Sequence, residues 1–417
     1  MEIVVSDNLK KLATALDGKL YIVGGYVRNA IMGMASDDID ICSPFLSEEV
    51  QERCKEIGLK TKVINAKLGT LLVSSNDGEN YEYTPFRREN YIKGNHLPES
   101  VEFVDDILVD AKRRDFTCNT IYYNVLSGKI FDPYNGKADI ENKVLRCIET
   151  PLFVFSSDGL RLLRMVRFAC ELGFKIDAKT FKTASEMVYQ LRSITAERKL
   201  MELNKIVVAD FKYGVNKNEF IRYFNGLNIY KYLFGLNYEN FNINIKTQEY
   251  QNFFKAKSEL RLLAFLTLFL LNKYDFKYMH ENQVNGDIMM FFNNLRISKE
   301  LASDLAKTYM CLQVLKFKPL NEFSAVNYHT LTQKQREVVN LYVDFKPVSE
   351  LILNLKMSGI PLSLTSLEVC GEDLKSFVPE NKISQILKLL FEMCLAGKVK
   401  NEKDELLKIV KTIKFNK

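Results

Sequence analysis

The chain has 417 residues, 47% of them hydrophobic and 26% charged, enough for roughly two to four domains at ~100–200 residues each. A formal net charge of +6 permits a polyanionic partner without demanding one. No CxxC pair occurs among the eight cysteines, and the three histidines, His96, His280 and His329, form no HxxxH or HD pair, which excludes the usual zinc, redox-motif and histidine-metal phosphohydrolase patterns.

From the N-terminus, residues 1–150 alternate short β-prone runs with helical stretches. The runs are Leu20–Val23, Ile39–Cys42, Thr70–Ser74, Tyr81–Thr84 and Thr120–Val125, punctuated by Gly, Asn, Asp and Pro as strand ends are. Ser47–Ile57 reads as a helix with Ser47 as N-cap and acids in its first turn. This is the pattern of an α/β domain. After Pro151 the period changes: Leu160, Leu163, Val166 and Ala169 recur at helical spacing and Gly173 supplies a stop. Helical patterns then continue to Lys417 with no fixed-period repeat and no low-complexity linker; we set boundaries near 215 and 310. The run Leu262–Leu271, interrupted by Thr267, is about half the ~20 residues a membrane-spanning helix needs. It reads as a buried helix, and no membrane partner is expected. The stretch Lys398–Lys417 carries seven lysines against three acids and is either a solvated amphipathic face or a phosphate-contacting one. With no export segment recognised, the cysteines read as reduced thiols of a cytoplasmic protein.

Three elements in the first 120 residues carry chemistry. Gly24-Gly25 sits between the apolar run Leu20–Val23 and a predicted helix, Val27–Met32. Glycines there let backbone N–H groups approach a phosphate, and Arg28 lies one turn in, within reach of the same anion. The alternative is a plain turn. Next comes Asp37-Asp38-Ile39-Asp40-Ile41. Alternation along a strand puts Asp38 and Asp40 on one face, roughly 7 Å apart, a spacing at which two carboxylates hold Mg²⁺; the alternative is a solvated strand end. The third is Arg113-Arg114-Asp115-Phe116-Thr117. Guanidinium groups fork onto phosphate oxygens, and Asp115 either orients an arginine or meets a ribose hydroxyl; the alternative is a surface ion-pair cluster. Glu82, on the run Tyr81–Thr84, is either a third ligand or a solvent-facing glutamate.

Taken together, Tyr21-Ile-Val-Gly-Gly-Tyr-Val-Arg28, Asp38-Ile-Asp40 and Arg113-Arg-Asp-Phe-Thr-Cys-Asn119 resemble the signature of class II tRNA nucleotidyltransferases, the CCA-adding enzymes, and their relatives the bacterial poly(A) polymerases. Asp132-Pro-Tyr-Asn-Gly136, Asp139 and Leu145-Arg146 resemble the segment joining that family's head to its neck. Asp158-Gly-Leu-Arg161-Leu-Leu-Arg164 resembles its nucleotide-selecting helix, in which acid and arginine imitate a template base; residues i and i+3 share a helix face, although a simple ion pair would look the same. Glu197-Arg198 and Glu202-Leu203 resemble a bracing motif, and Leu367–Leu374 with Gly397–Asn401 resemble the tail that holds the tRNA elbow.

The resemblance implies a fold and a function. The fold is an α/β nucleotidyltransferase head with a mixed sheet and flanking helices, followed by an all-α neck, body and tail: 1–150, 151–215, 216–310 and 311–417. The function is template-independent addition of CMP and AMP from CTP and ATP to the tRNA 3′ end. Asp38 and Asp40, with Glu82 as the open third ligand, would hold two Mg²⁺ ions and be catalytic. Gly24, Gly25, Arg28, Arg114, Asp115, Asn119, Asp158, Arg161 and Arg164 would bind the nucleotide and its phosphates. Four positions depart from the family pattern: Asn29 stands where an Asp is usual, Ser157 where a Glu is usual, Lys93-Gly94-Asn95 replaces a loop often written Asp-Gly-Arg, and Asn381-Lys382-Ile383-Ser384-Gln385 replaces a Gly-Lys-x-x-Gly. The rival readings are the same chemistry with another product (CC only, terminal A only, or poly(A)) and a catalytically silent RNA-binding protein, against which both carboxylates of the Asp-x-Asp pair argue.

Overall fold

In the strand Asn80–Pro85, Tyr81, Tyr83 and Pro85 are buried while Asn80 and Glu82 are exposed, the period-2 pattern of a sheet with one face packed and one open. The computed structural model describes residues 3–36, 38–90, 99–215, 219–235, 238–273 and 281–413. They fall into two units, 1–242 with 294–296, and 243–293 with 297–417.

The first unit opens with α1 (Asp7–Ala15), capped by Ser6, whose Oγ accepts the Leu9 N–H at 3.2 Å. There follow β1 (Tyr21–Val23), α2 (Gly25–Ile31), β2 (Ile39–Ser43), α3 (Ser47–Glu56), β3 (Lys60–Asn65), β4 (Thr70–Ser74) and β5 (Asn80–Pro85). The hairpin β6 (Arg87–Asn90) and β7 (Ser100–Phe103) precedes α4 (Ile107–Lys112), β8 (Tyr122–Asn124), β9 (Ile130–Phe131) and α5 (Gly136–Glu141). Among the described residues the main sheet has seven strands in the order β3-β4-β5-β2-β1-β8-β9. Only β2 and β5 run parallel, so the sheet is mixed, as the resemblance implied. Val23, Cys42, Phe86, Ala111 and Tyr122 form a core cluster beneath it.

Two local expectations change. Ser47 is the first residue of α3, not its cap: Leu46 holds that place and donates its N–H to Glu49 Oε2 at 2.9 Å, while Ser47 Oγ donates to the Gly69 carbonyl at 2.6 Å. A serine followed by acids signals a helix start only to within a residue, because a neighbouring loop can take the hydroxyl instead. Strand β3 was not foreseen. It is an edge strand with little burial on either face, so it carries no apolar alternation to read.

From Pro151 the first unit is helical: α6 (Pro151–Ser157), α7 (Leu160–Leu172), α8 (Ala178–Met187), α9 (Ala196–Val207), α10 (Ala209–Lys212), α11 (Phe220–Leu227) and α12 (Tyr230–Leu233). Helix α7 is central, with every residue buried except Arg164. It ends where expected: Gly173 is left-handed at φ 66° and donates its N–H to Ala169 O, a conformation glycine adopts without strain. A short parallel pair, β10 (Val144–Leu145) with β11 (Lys175–Ile176), pins the exit of α7 beside α5.

In the second unit come α13 (Gln248–Phe253), α14 (Arg261–Lys273), α15 (Glu281–Leu295, its last two residues counted with the first unit), α16 (Lys299–Phe317), α17 (Glu322–His329), α18 (Gln333–Tyr342), α19 (Lys346–Met357), α20 (Gly371–Leu374), α21 (Ile383–Leu395) and α22 (Lys403–Thr412). The apolar run Leu262–Leu271 is the buried middle of α14, and no described helix is long and apolar enough to cross a membrane. Leu390 and Cys394 of α21 and Leu406 and Val410 of α22 pack with Leu367, Val369, Leu374 and Val378. Asn401 joins the two ends of this cluster, donating to Ser366 O at 2.9 Å and accepting the Glu368 N–H at 3.0 Å. All eight cysteines are free; seven are buried and Cys370 is exposed.

Candidate active site

At the C-terminal end of β1 the chain must turn sharply into α2. Gly24 does so at φ 80°, ψ −135°, a region closed to residues with a side chain. A Cβ there would stand 3.3 Å from Asp40 Oδ2, so the glycine also leaves room for the carboxylate opposite it, where Val23 pairs with Asp40 across β1 and β2. Asp38 lies one residue before β2 begins, exposed, and Asp40 follows within the strand. On the other side of β2, Asp40 pairs with Glu82 of β5. Parallel register puts both carboxylates on the same face of the sheet.

Asp40 is accessible from the open side, yet protein crowds it elsewhere. Burial first, then the like charges of Glu82 and Asp38, push its pKa up to about 6, against the pull of Arg114 and Arg164. A dehydrated carboxylate beside two others favours a bound cation. The donor set is hard oxygen, which suits Mg²⁺. Among the described residues no three His, Cys, Asp or Glu side chains gather closely enough to hold an ion by themselves. A pair of carboxylates leaves the remaining positions to water and substrate phosphates, the usual habit of Mg²⁺.

The paired arginines are held from below. Asp110, wholly buried on α4, accepts Arg113 Nε at 2.7 Å through Oδ1. Through Oδ2 it accepts Arg114 Nη2 at 3.0 Å and the Tyr122 hydroxyl at 2.8 Å. Burial alone would raise the Asp110 pKa, but Arg113, Arg114 and the tyrosine hydrogen bond overcome it and hold it near 2. Asp115 takes the first of its two expected roles and orients an arginine: its Oδ2 accepts Arg164 Nε at 2.8 Å, and its Oδ1 accepts Asn119 Nδ2 at 3.2 Å. Against the cost of burial, Arg164 and Arg161 keep the Asp115 pKa at about 2. Arg28 is buried, donating from Nη1 to Asn119 Oδ1 and from Nε to Asn29 Oδ1 at 3.1 Å.

Asp158 and Arg161 do not share a helix. Asp158 is the extended C-cap of α6 at φ −149°, and α7 starts at Leu160. Its Oδ1 accepts the Leu160 N–H at 2.9 Å and its Oδ2 accepts Arg198 Nη2 at 2.9 Å. Arg161 donates from Nη1 to Ser157 Oγ at 2.8 Å and to Val154 O at 3.3 Å, and from Nη2 to Arg113 O. That leaves Nε–H and one Nη2–H of the guanidinium for a ligand. The extended backbone of Asp158 itself breaks the i, i+3 geometry that a continuous helix would have had, whereas Gly159 is already helical at φ −60°, ψ −20°.

Every residue assigned a catalytic, metal-binding or nucleotide-binding role from the sequence lines one cleft of about 1430 Å³: Gly24, Gly25, Arg28, Asp38, Asp40, Glu82, Arg114, Asp115, Asn119, Asp158, Arg161 and Arg164. Sequence reasoning missed Phe168, Tyr213, Lys205 and Lys212 on its wall, and Asp110 behind it. Asp110 had a signal, since it stands three and four residues before the arginine pair on a helix. The others reach the cleft through tertiary packing alone.

Residues 20–146 match the family described as Poly A polymerase head domain, and residues 173–212 the one described as Probable RNA and SrmB- binding site of polymerase A. The CCA-adding enzyme of Lactococcus lactis subsp. lactis is 29% identical over 399 residues, 94% of this chain and 92% of that one. The chain thus carries a Poly A polymerase head domain and is similar along nearly its whole length to CCA-adding enzymes. The match to the CCA-adding enzyme of Streptococcus thermophilus is 39% identical over 196 residues, about half (47%) of each chain. In fold, the chain is similar to the Thermotoga maritima CCA-adding enzyme complexed with tRNA_CCA, at a TM-score of 0.64 and 21% identity over 98% of this chain and 96% of that one.

Against this family's pattern, the departures have local readings. Asn29 accepts from Arg28 through Oδ1 and donates from Nδ2 to the Tyr213 hydroxyl at 3.0 Å, so Arg28 has a neutral partner where an aspartate would have made an ion pair. Ser157 supplies Arg161 with a hydroxyl acceptor. Asn381–Gln385 runs from a single 3₁₀ turn into α21. Lys93-Gly94-Asn95 lies outside the described residues.

Proposed function

We propose that this protein completes tRNA, adding CMP and AMP from CTP and ATP to the 3′ end in the cytoplasm. One observation carries the reading. The Asp38–Asp40 carboxylates, the Gly24-Gly25 turn and the arginines Arg28, Arg114, Arg161 and Arg164 converge on a single cleft, so acids for a cation and bases for a triphosphate meet around one substrate-sized space. The relatives' names, CCA-adding enzymes of Lactococcus and Streptococcus, point to the same product.

Asp38 and Asp40, with Glu82 beside them, would hold two Mg²⁺ ions, which make an RNA 3′-hydroxyl easier to ionise and neutralise the leaving pyrophosphate. The chain's own residues do the rest. Backbone N–H groups at Gly24-Gly25, with Arg28 and Arg114, cradle the triphosphate. Asp110 keeps Arg114 from swinging away, and Asp115 does the same for Arg164. Arg161 and Asp158 offer donors and an acceptor to the edge of the base. We assign 1–150 to the catalytic head, 151–215 to a nucleotide-selecting neck, 216–310 to the body and 311–417 to a tRNA-binding tail.

The test offers CTP and ATP, separately and together, with Mg²⁺, to tRNAs ending at the discriminator base, at C and at CC, and reads product lengths. Complete CCA on all three supports the reading. CC alone, or the final A alone, would mean a division of labour. Long A tails would move the protein to poly(A) synthesis, and no product at all would leave an RNA-binding protein.

A further inference from the structure

Three guanidinium groups converge on one ring. The centroid of Phe168 lies 4.2 Å from Arg167 Cζ, 5.2 Å from Arg164 Cζ and 5.5 Å from Arg28 Cζ, all within the ~6 Å reach of a cation–π contact. Phe116 meets the ring edge-on at 5.9 Å and fixes its tilt. Like charges gathered this closely repel, and the three are compensated in different ways. Arg167 is neutralised by Glu202 and Glu171. Arg164 is neutralised by Asp115. Arg28, only 2% exposed, has no carboxylate partner among the described residues; it bonds to Asn29, Asn119 and Tyr213, all neutral.

The distinction matters for a group that must meet an anion. A carboxylate would orient Arg28 and cancel its charge. Amide oxygens and the negative face of an aromatic ring orient it and leave the charge intact. Gly25, whose Cβ would stand 3.5 Å from Arg28 Nη2, keeps that charge approachable from the turn.

We propose that Phe168 is a positioning residue for the nucleotide: its ring holds Arg28 and Arg164 side by side on the cleft wall and orients Arg28 without a carboxylate to cancel its charge, so that the charge is left for a triphosphate. This rests on the nucleotide-transfer reading above. The test replaces Phe168, in the full-length protein, with phenylalanines bearing one, two and three ring fluorines. Fluorine drains the ring quadrupole while changing its shape little. The Kd for CTP and for ATP is measured by calorimetry, with Tm recorded on the same samples. We expect Kd to rise stepwise, about two- to five-fold over the series, the scale of a cation–π contact. A ring that merely fills space would leave Kd flat whatever happens to Tm, and that result overturns the proposal while the nucleotide reading stands. If the unmodified protein binds neither nucleotide, the reading of the cleft fails and the role of Phe168 fails with it.

Discussion

Asp40 faces two demands at once. It must be reachable from the cleft, and burial, together with the like charges of Glu82 and Asp38, lifts its pKa to about 6. Asp40→Asn removes the charge and keeps the shape. We expect turnover to fall by at least ~10²-fold, the scale of losing one preorganised electrostatic group. Tm should hold or rise, because a repelled, dehydrated carboxylate has gone. Retained activity in that variant would remove Asp40 from the chemistry. Arg161→Ala should act differently, leaving incorporation intact while blurring the choice between CTP and ATP; unchanged discrimination in a competition assay would remove Arg161 from base recognition. At this scale much was legible. The glycine turn and the alternating aspartates are local patterns, readable from spacing alone. Phe168 was not, because an apolar residue on a buried helix looks the same whether it fills space or faces three arginines.

Helix α4 and the loop after it work as a clamp, with Asp110 gripping both arginines and Asp115 gripping α7 through Arg164. Each carboxylate is buried and held near pKa 2, below the ordinary value of 3.8. A depressed carboxylate stabilises the fold above its unfolded pKa, and the contribution disappears as pH falls through the folded value. The window is therefore about pH 4 down to pH 2. Asp115→Asn should cost on the order of 2 kcal/mol at pH 7, and the gap in Tm between variant and parent should close across that window. A gap that stays constant with pH would show that packing, not charge, sets the cost. Helices were readable wherever a stripe of apolar residues met a stop, as in α7 with Gly173. Asp158 was misplaced because its own backbone is extended between α6 and α7, and a motif's spacing does not reveal a break at one of its members.

Across the whole molecule the charge excess is small, +6, but it is unevenly used. Ten arginine and lysine side chains line the cleft against seven acids, so the cavity is positive in a chain that is nearly balanced. Lys205 and Lys212 are its least committed cations, half-exposed and no closer than 3.9 and 3.8 Å to Glu202 and Glu171. We expect Lys205→Ala with Lys212→Ala to weaken tRNA binding and to lower the slope of log affinity against log salt by about one per lysine, with CTP affinity unchanged. An unaltered slope would place the RNA elsewhere. Composition suggested no such concentration of charge, since scattered basic residues become a surface only when the chain folds.

The distribution of thiols has a practical consequence. Seven cysteines are shut inside the fold and one, Cys370, stands at the start of α20 in the second unit, far in sequence from the catalytic residues. A maleimide dye added to the unmodified protein should therefore couple at that position alone. The native chain thus carries its own attachment point for an optical probe, with which engagement of RNA could be followed in real time without altering a single codon.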